Sequence, residues 1–165
     1  MIFIIGDGQH SIVVRETILA SDFDRRNTPS TRHFIAVGNN KTRMAEVNSR
    51  PGTKYATIIH PYSWISPSAT IGEGSIVMAG AVIQAHAVIG KHCIVNTEAS
   101  CDHHAIIEDY AHIAPGAHLC GNVHVGEGAL VGVGVGIEPG VKIPPWSIVK
   151  RIPYVIEPVS GHTTV

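Results

Sequence analysis

The sequence predicts a mainly β chain, a parallel β-helix of hexapeptide repeats preceded by a small α/β unit. Three observations carry this reading: an apolar residue recurs every six positions from Ile59 to Val149, a small residue such as Ala69, Ser75, Ala81 or Ala117 follows it four positions later, and the register never slips. A period of six is neither helical nor a plain strand alternation. One apolar and one small inward position per six residues suit a short flat strand plus a corner, so three hexads close a coil of eighteen. Coils then stack at about 4.8 Å, the spacing of hydrogen-bonded strands.

Ahead of the repeat, residues 2–5 (Ile, Phe, Ile, Ile) predict a buried strand, residues 6–10 a glycine turn, and Ile12 to Ala20 a helix. Residues 21–32 are polar, contain Pro29 and read as a loop. A second strand is expected at 34–37, a turn at Gly38-Asn39-Asn40 and a short helix over 41–47. This unit, residues 1–57, is too small for a large core of its own and is expected to lean on the first coil, covering its open strand edge. The repeat domain occupies 58–150, and the aperiodic tail 151–165, with Pro153 and Pro158, is expected to cover the other end.

Charged residues make up only 15% of the chain, below the roughly 25% of ordinary soluble domains, so partner subunits are expected to cover apolar surface. The net charge of -1 gives no electrostatic case for nucleic acid, and no basic amphipathic stretch argues for a membrane surface. The opening MIFII is too short for a signal sequence, and the cytoplasm is the expected compartment. Cys93, Cys101 and Cys120 form no CxxC pair and read as reduced, packed thiols.

Histidine is over-represented, with eleven copies, seven of them between 86 and 124. Imidazole exchanges protons near neutrality, yet a solvent-facing histidine on a β-helix needs no function. His86 and His104, eighteen apart, should stack on successive coils, while His112, His118 and His124 share the outward position on successive faces. A zinc site like that of the gamma-class carbonic anhydrases needs a histidine pair five apart, and no such pair exists, so no metal is expected.

The stretch Asn96-Thr97-Glu98-Ala99-Ser100-Cys101-Asp102-His103-His104 is more specific. Together with the turn at 6–10, the segment Phe34-Ile35-Ala36-Val37-Gly38-Asn39-Asn40, the entry Ile59-His60-Pro61 and the run to Gly121-Asn122, it resembles the PglD/NeuD-type sugar acetyltransferases of the left-handed β-helix superfamily. The resemblance implies acetyl-CoA as co-substrate, a nucleotide-linked 4-amino sugar as acceptor, surface glycan biosynthesis, and a homotrimer.

By the same resemblance His103 is the general base, with Asp102, His104 and Asn96 on the catalytic surface. His112 would bind the thioester carbonyl, and Gly121, Val133 and Arg151 would line the path of coenzyme A. Gly8, Gln9 and His10 match the turn that cradles the nucleotide, and Asn40 and Arg43 follow the second strand within its reach. The turn at 6–10 and the glycine-rich run 131–136, which the coenzyme arm would also pass, equally suit tight turns, and Arg43 equally suits a solvated helix face. His103 and His112 stand nine residues apart, half a coil, so in one chain they point in opposite directions and meet only across subunits.

The implied chemistry is direct acyl transfer, with His103 taking a proton from the attacking amine and His112 and backbone amides stabilising the oxyanion. The chain departs from the family at three places. His104 stands where a carboxylate usually follows the base, so either Asp102 takes that role or His103 is a weaker base. The interval between the first helix and second strand is short, with Asp22 and Asp24 as possible substitutes for lost acidic contacts. The tail from Ile152 replaces the usual ending. The alternatives are O-acetylation of a sugar, acetylation of a small amino acid or antibiotic, and a non-catalytic binding or assembly role.

Overall fold

The computed structural model describes residues 2–6, 12, 14, 15 and 32–150. Gly8, Gln9, His10, Asp22, Asp24, Arg151 and the tail lie outside the described residues, as does most of the helix expected at 12–20.

From Ile58–Ile59 to Ile148–Val149 the chain runs through sixteen two-residue strands, one per hexad. Every third strand pairs in parallel, giving three sheets of six, five and five strands, or five coils and one further strand. The pairing register is eighteen throughout, as in Ser100↔His118 and His112↔Leu130. The first sheet runs through Ile58, Ile76, Ile94, His112, Leu130 and Ile148, the second through Trp64, Val82, Ser100, His118 and Gly136, and the third through Thr70, Val88, Ile106, His124 and Lys142.

The interior is the predicted two-residue pattern. Ile83, Ile107, Ile113 and Val125 alternate with Ala81, Ala87, Ala105 and Ala117, all fully buried. One polar group inside, Ser75, is satisfied: its hydroxyl donates to the Gly90 carbonyl at 2.7 Å and accepts from the Cys93 amide at 2.9 Å. Cys93 and Cys101 are free and buried, and burial pushes both thiols up to about 12. They pack as small apolar groups, as expected. At the first coil Ile59 remains 42% exposed, because only one side of it carries a stacked coil.

Corners are turned by residues at positive φ in columns eighteen apart, such as His86, His104 and Asn122, each at 60°. A left-handed residue with a side chain costs about 1–2 kcal/mol. Stacked coils offset that cost with corner-to-corner bonds, His104 N–H to the Ala85 carbonyl and Asn122 N–H to that of His103, both 3.0 Å.

In the N-terminal unit, strand Ile2–Ile5 pairs in parallel with Arg32–Ile35, two residues earlier than the sequence predicts. The helix spans Asn40–Asn48 and is capped by Asn39, whose Oδ1 accepts from the Thr42 amide at 3.0 Å. The unit does not simply cover the edge of the first coil. It lies along the outer face of the first sheet, where Phe34, Ala36, Ala56 and Val14 pack on Ile58, Ile76, Met78 and Ile94. Those outward isoleucines are at most 2% exposed. Three apolar side chains stacked on one outward column would otherwise face water, and each gains about 1.5–3 kcal/mol from being covered.

Candidate active site

His103 and His104 stand at the corner between strands Ser100–Cys101 and Ile106–Ile107, both exposed. Their Nδ1 atoms lie 3.2 Å apart, so one ring nitrogen carries a hydrogen and the other accepts it. His104 also packs on His86 of the preceding coil, ring centroids 5.0 Å apart, the stack that the eighteen-residue spacing predicts. Asp102 is half-buried, and its backbone is held by the Leu119 carbonyl and the Ala105 amide. The side chain meeting His103 is that of His104, rather than that of Asp102.

Gly121, one coil on, lies directly against the His103 ring: a Cβ there would come 2.5 Å from Cε1 and 2.6 Å from Nε2. Gly121 was expected on the coenzyme path; its geometry makes it the floor under His103.

His112 lies on the first sheet, the face opposite the corner that carries His103. Asn96 sits with His112 on that face, its Nδ2 3.1 Å from His112 Nε2. The Asn96 Oδ1 is taken by the Thr97 amide at 2.8 Å, which leaves Nδ2 as the donor and makes His112 Nε2 the acceptor. Within one chain, therefore, Asn96 belongs to the His112 cluster and His103 to another.

No protein-family model matches the chain. Among solved structures, it resembles the acetyltransferase domain of PglB from Neisseria gonorrhoeae FA1090 in complex with acetyl coenzyme A, with 32% identity, a TM-score of 0.79, and coverage of 89% of this chain and 86% of that one. It also resembles PerB from Caulobacter crescentus in complex with CoA and GDP-perosamine, with 32% identity, a TM-score of 0.78 and coverage of 91% and 88%. The chain belongs to the PglD/NeuD-type hexapeptide acyltransferases. A curated relative, the UDP-N-acetylbacillosamine N-acetyltransferase of Bacillus subtilis (strain 168), is 40% identical over 43% of this chain and 48% of that protein. The match thus spans about half the length of that relative.

The remaining expected site residues fall into two groups. Val133 is 65% exposed on the glycine-rich run 131–136. Within that run Gly132 is required by the next coil, since a Cβ would meet the Val149 carbonyl at 2.8 Å, whereas a Cβ on Gly136 would meet nothing within 4 Å. Asn40 and Arg43 face the β-helix. Asn40 Nδ2 donates to the carbonyls of Gly128 and Ala129 at 3.0 and 3.2 Å.

Arg43 is 1% exposed, which corrects the solvated-face alternative. Its guanidinium donates to the carbonyls of His92, Val37, Gly38 and Tyr110 and to Asn40 Oδ1. Burial lowers its pKa to about 10, so it remains charged at neutral pH. His92, Tyr110 and Gly128 are equivalent corner residues of successive coils, so this helix is pinned along a corner of the repeat.

Sequence reasoning missed the pair His124 and Glu108, on the face between the His103 corner and that pinned corner. His124 Nε2 lies 2.7 Å from Glu108 Oε1, and Glu108 Oε2 accepts from the Glu127 amide at 2.9 Å. The His124 hydrogen bond, then that amide, holds the Glu108 carboxyl below the usual range. Its signal is the spacing of sixteen, the same offset that joins Asn96 to His112. Among the described residues no cluster of three or more His, Cys, Asp or Glu could hold a metal ion, and no helix is long and apolar enough to cross a membrane.

Proposed function

We propose that this protein transfers an acetyl group from acetyl-CoA to the amino group of a nucleotide-linked amino sugar, of the 4-amino type, for surface glycan assembly in the cytoplasm. The observation that carries the reading is the His103 corner. An exposed imidazole has one nitrogen engaged by a neighbouring side chain and rests on a glycine, in a chain whose solved neighbours were captured with acetyl coenzyme A, or with CoA and GDP-perosamine.

His103 accepts the proton that the sugar amine loses as its nitrogen bonds to the thioester carbon. The tetrahedral intermediate then collapses, breaking the carbon–sulfur bond, and CoA leaves as the thiol once its sulfur is protonated. His112 and backbone amides stabilise the oxyanion in between. Because His103 and His112 occupy opposite sides of the prism, the complete site is formed between chains of a homotrimer, His103 of one facing His112 of the next. Exposed Val88 and Ile106, stacked on the third face at 43% and 44% exposure, are the kind of apolar surface such an assembly would cover. In this reading the coenzyme arm runs between neighbouring β-helices past Gly121 and Val133, and the N-terminal unit with Gly8, Gln9 and His10 takes the nucleotide.

The test is thiol release with a panel of nucleotide-linked 4-amino sugars, run on the wild type and on His103→Ala, with mass determined by light scattering. Loss of about 10²- to 10⁴-fold in kcat with the trimer retained is expected for removal of a general base. Wild-type protein that neither binds acetyl-CoA nor releases thiol with any such sugar would overturn the reading in favour of a binding or assembly role.

A further inference from the structure

We infer that His104 is the positioning residue of the catalytic base: its Nδ1 accepts the Nδ1–H of His103, fixing the tautomer that leaves the His103 Nε2 lone pair for the substrate proton. This rests on His103 being the base, as proposed above, and deepens it. The 3.2 Å contact between the two Nδ1 atoms can hold only one hydrogen, and its direction decides whether His103 can act. If His104 donated instead, the neutral His103 would carry its hydrogen on Nε2 and have no lone pair there. The rings meet at 82°, edge to face, so the bond locks the plane of His103 as well as its tautomer.

The rest of the corner keeps His104 in place. Its backbone sits at φ 60° with its amide on the Ala85 carbonyl, and its ring packs on His86 at 5.0 Å. The titratable groups around the pair are His86 on the preceding coil, Asp102 on the same corner and Cys120 at the position stacked on Asp102. A carboxylate in the place of His104 would stabilise the imidazolium by its charge. An imidazole there orients the base through the hydrogen bond alone.

Positive φ limits the choice of variants, and neighbouring corners show which residues fit. Asn122 holds 60° and Glu98 holds 57° at corners of the same fold, and glycine is unstrained there. His104→Gly should lower kcat about 10- to 100-fold, with the KM for acetyl-CoA within about twofold, because the base loses orientation while the coenzyme surface is untouched. His104→Asn should stay slow, because its amide can donate to a bare Nδ1 as well as accept from Nδ1–H and so does not select the tautomer. His104→Glu, whose carboxylate can only accept, should restore most of kcat and move the acidic limb of the kcat/KM profile upward by about one pH unit.

Nitrogen-15 spectra of the histidine-labelled native protein read the tautomer without turnover. The expected pattern is His103 protonated at Nδ1, changing to mixed tautomers in His104→Gly. Native His103 protonated at Nε2, or a His104→Gly enzyme with wild-type kcat beside an inactive His103→Ala, overturns the inference alone. Full activity in His103→Ala overturns the assignment of the base and this inference with it.

Discussion

Arg43 donates from Nη2 to the carbonyl of Tyr110 at 2.6 Å, joining the helix of the N-terminal unit to a corner of the β-helix sixty-seven residues away. Its Nε reaches the His92 carbonyl, one coil earlier, at 2.8 Å, so a single side chain bridges two rungs of the stack. Arg43→Met would keep much of the volume and leave those oxygens buried without donors. The expected cost is on the order of 3 kcal/mol, with the thermal midpoint lowered by several degrees. Hydrogen exchange should quicken over residues 32–48 while the amides of the middle coils stay protected. A midpoint within a degree of wild type would refute the pin.

His92 predicts how stability depends on acid. Its ring is 5% exposed between Tyr55, edge-on at 4.7 Å, and Tyr110, stacked at 5.4 Å, and its Nδ1 is buried without a hydrogen-bond partner. Burial lowers its pKa from the ordinary 6.5 to about 4. Between those values the unfolded chain binds more protons than the folded one, so stability falls as pH drops from 6.5 toward 4 and levels off below that. The slope from this group is at most about 1.4 kcal/mol per pH unit. His92→Phe keeps the aromatic stack and should flatten that part of the profile, measured by urea unfolding from pH 7 to pH 4.

The repeat was legible because one rule decides every rung: only apolar or small residues tolerate the interior of a coil, and Ile83, Cys101, Leu119 and Ala117 obey it without exception. The His86 and His104 stack followed from the same spacing. The docking of the N-terminal unit was legible in principle and missed, since Ile58, Ile76 and Ile94 form an outward column of three isoleucines beside that unit in sequence. Arg43 was harder, because nothing in a short polar helix tells a buried guanidinium from a solvated one until the carbonyls of distant corners are in place. Asn96 was assigned by resemblance to the surface of the base, whereas the offset of sixteen residues joins it to His112. Contacts across coils depend on that offset, which a search by hexads alone does not sample.

The Asn96 and His112 pair makes a kinetic prediction. His112→Ala should lower kcat by about 10²-fold, the effect of losing one oxyanion donor. Asn96→Ala should cost less, about tenfold, since the imidazole remains and loses one hydrogen-bond partner. The double variant should be no slower than His112→Ala alone, because the amide acts through the ring. Additive losses would mean that Asn96 contacts the substrate directly.

Gly121 gives the sharpest test of how closely the base is held. Its φ is not in the left-handed region, so the backbone accepts alanine, and any effect of Gly121→Ala must come from the added methyl. That methyl would sit 2.5 Å from His103 Cε1, about 1 Å inside ordinary contact, and because the ring is exposed it would rotate away instead of straining the coil. A displacement of that size is expected to lower kcat at least tenfold, with unfolding midpoint and mass in solution unchanged. Gly136→Ala is the control, since its methyl meets nothing within 4 Å and should leave kcat as it is. Equal kcat in the two alanine variants would show that the position of the His103 ring does not limit the reaction, and a midpoint lowered only in Gly121→Ala would mean that the glycine serves the coil and not the base.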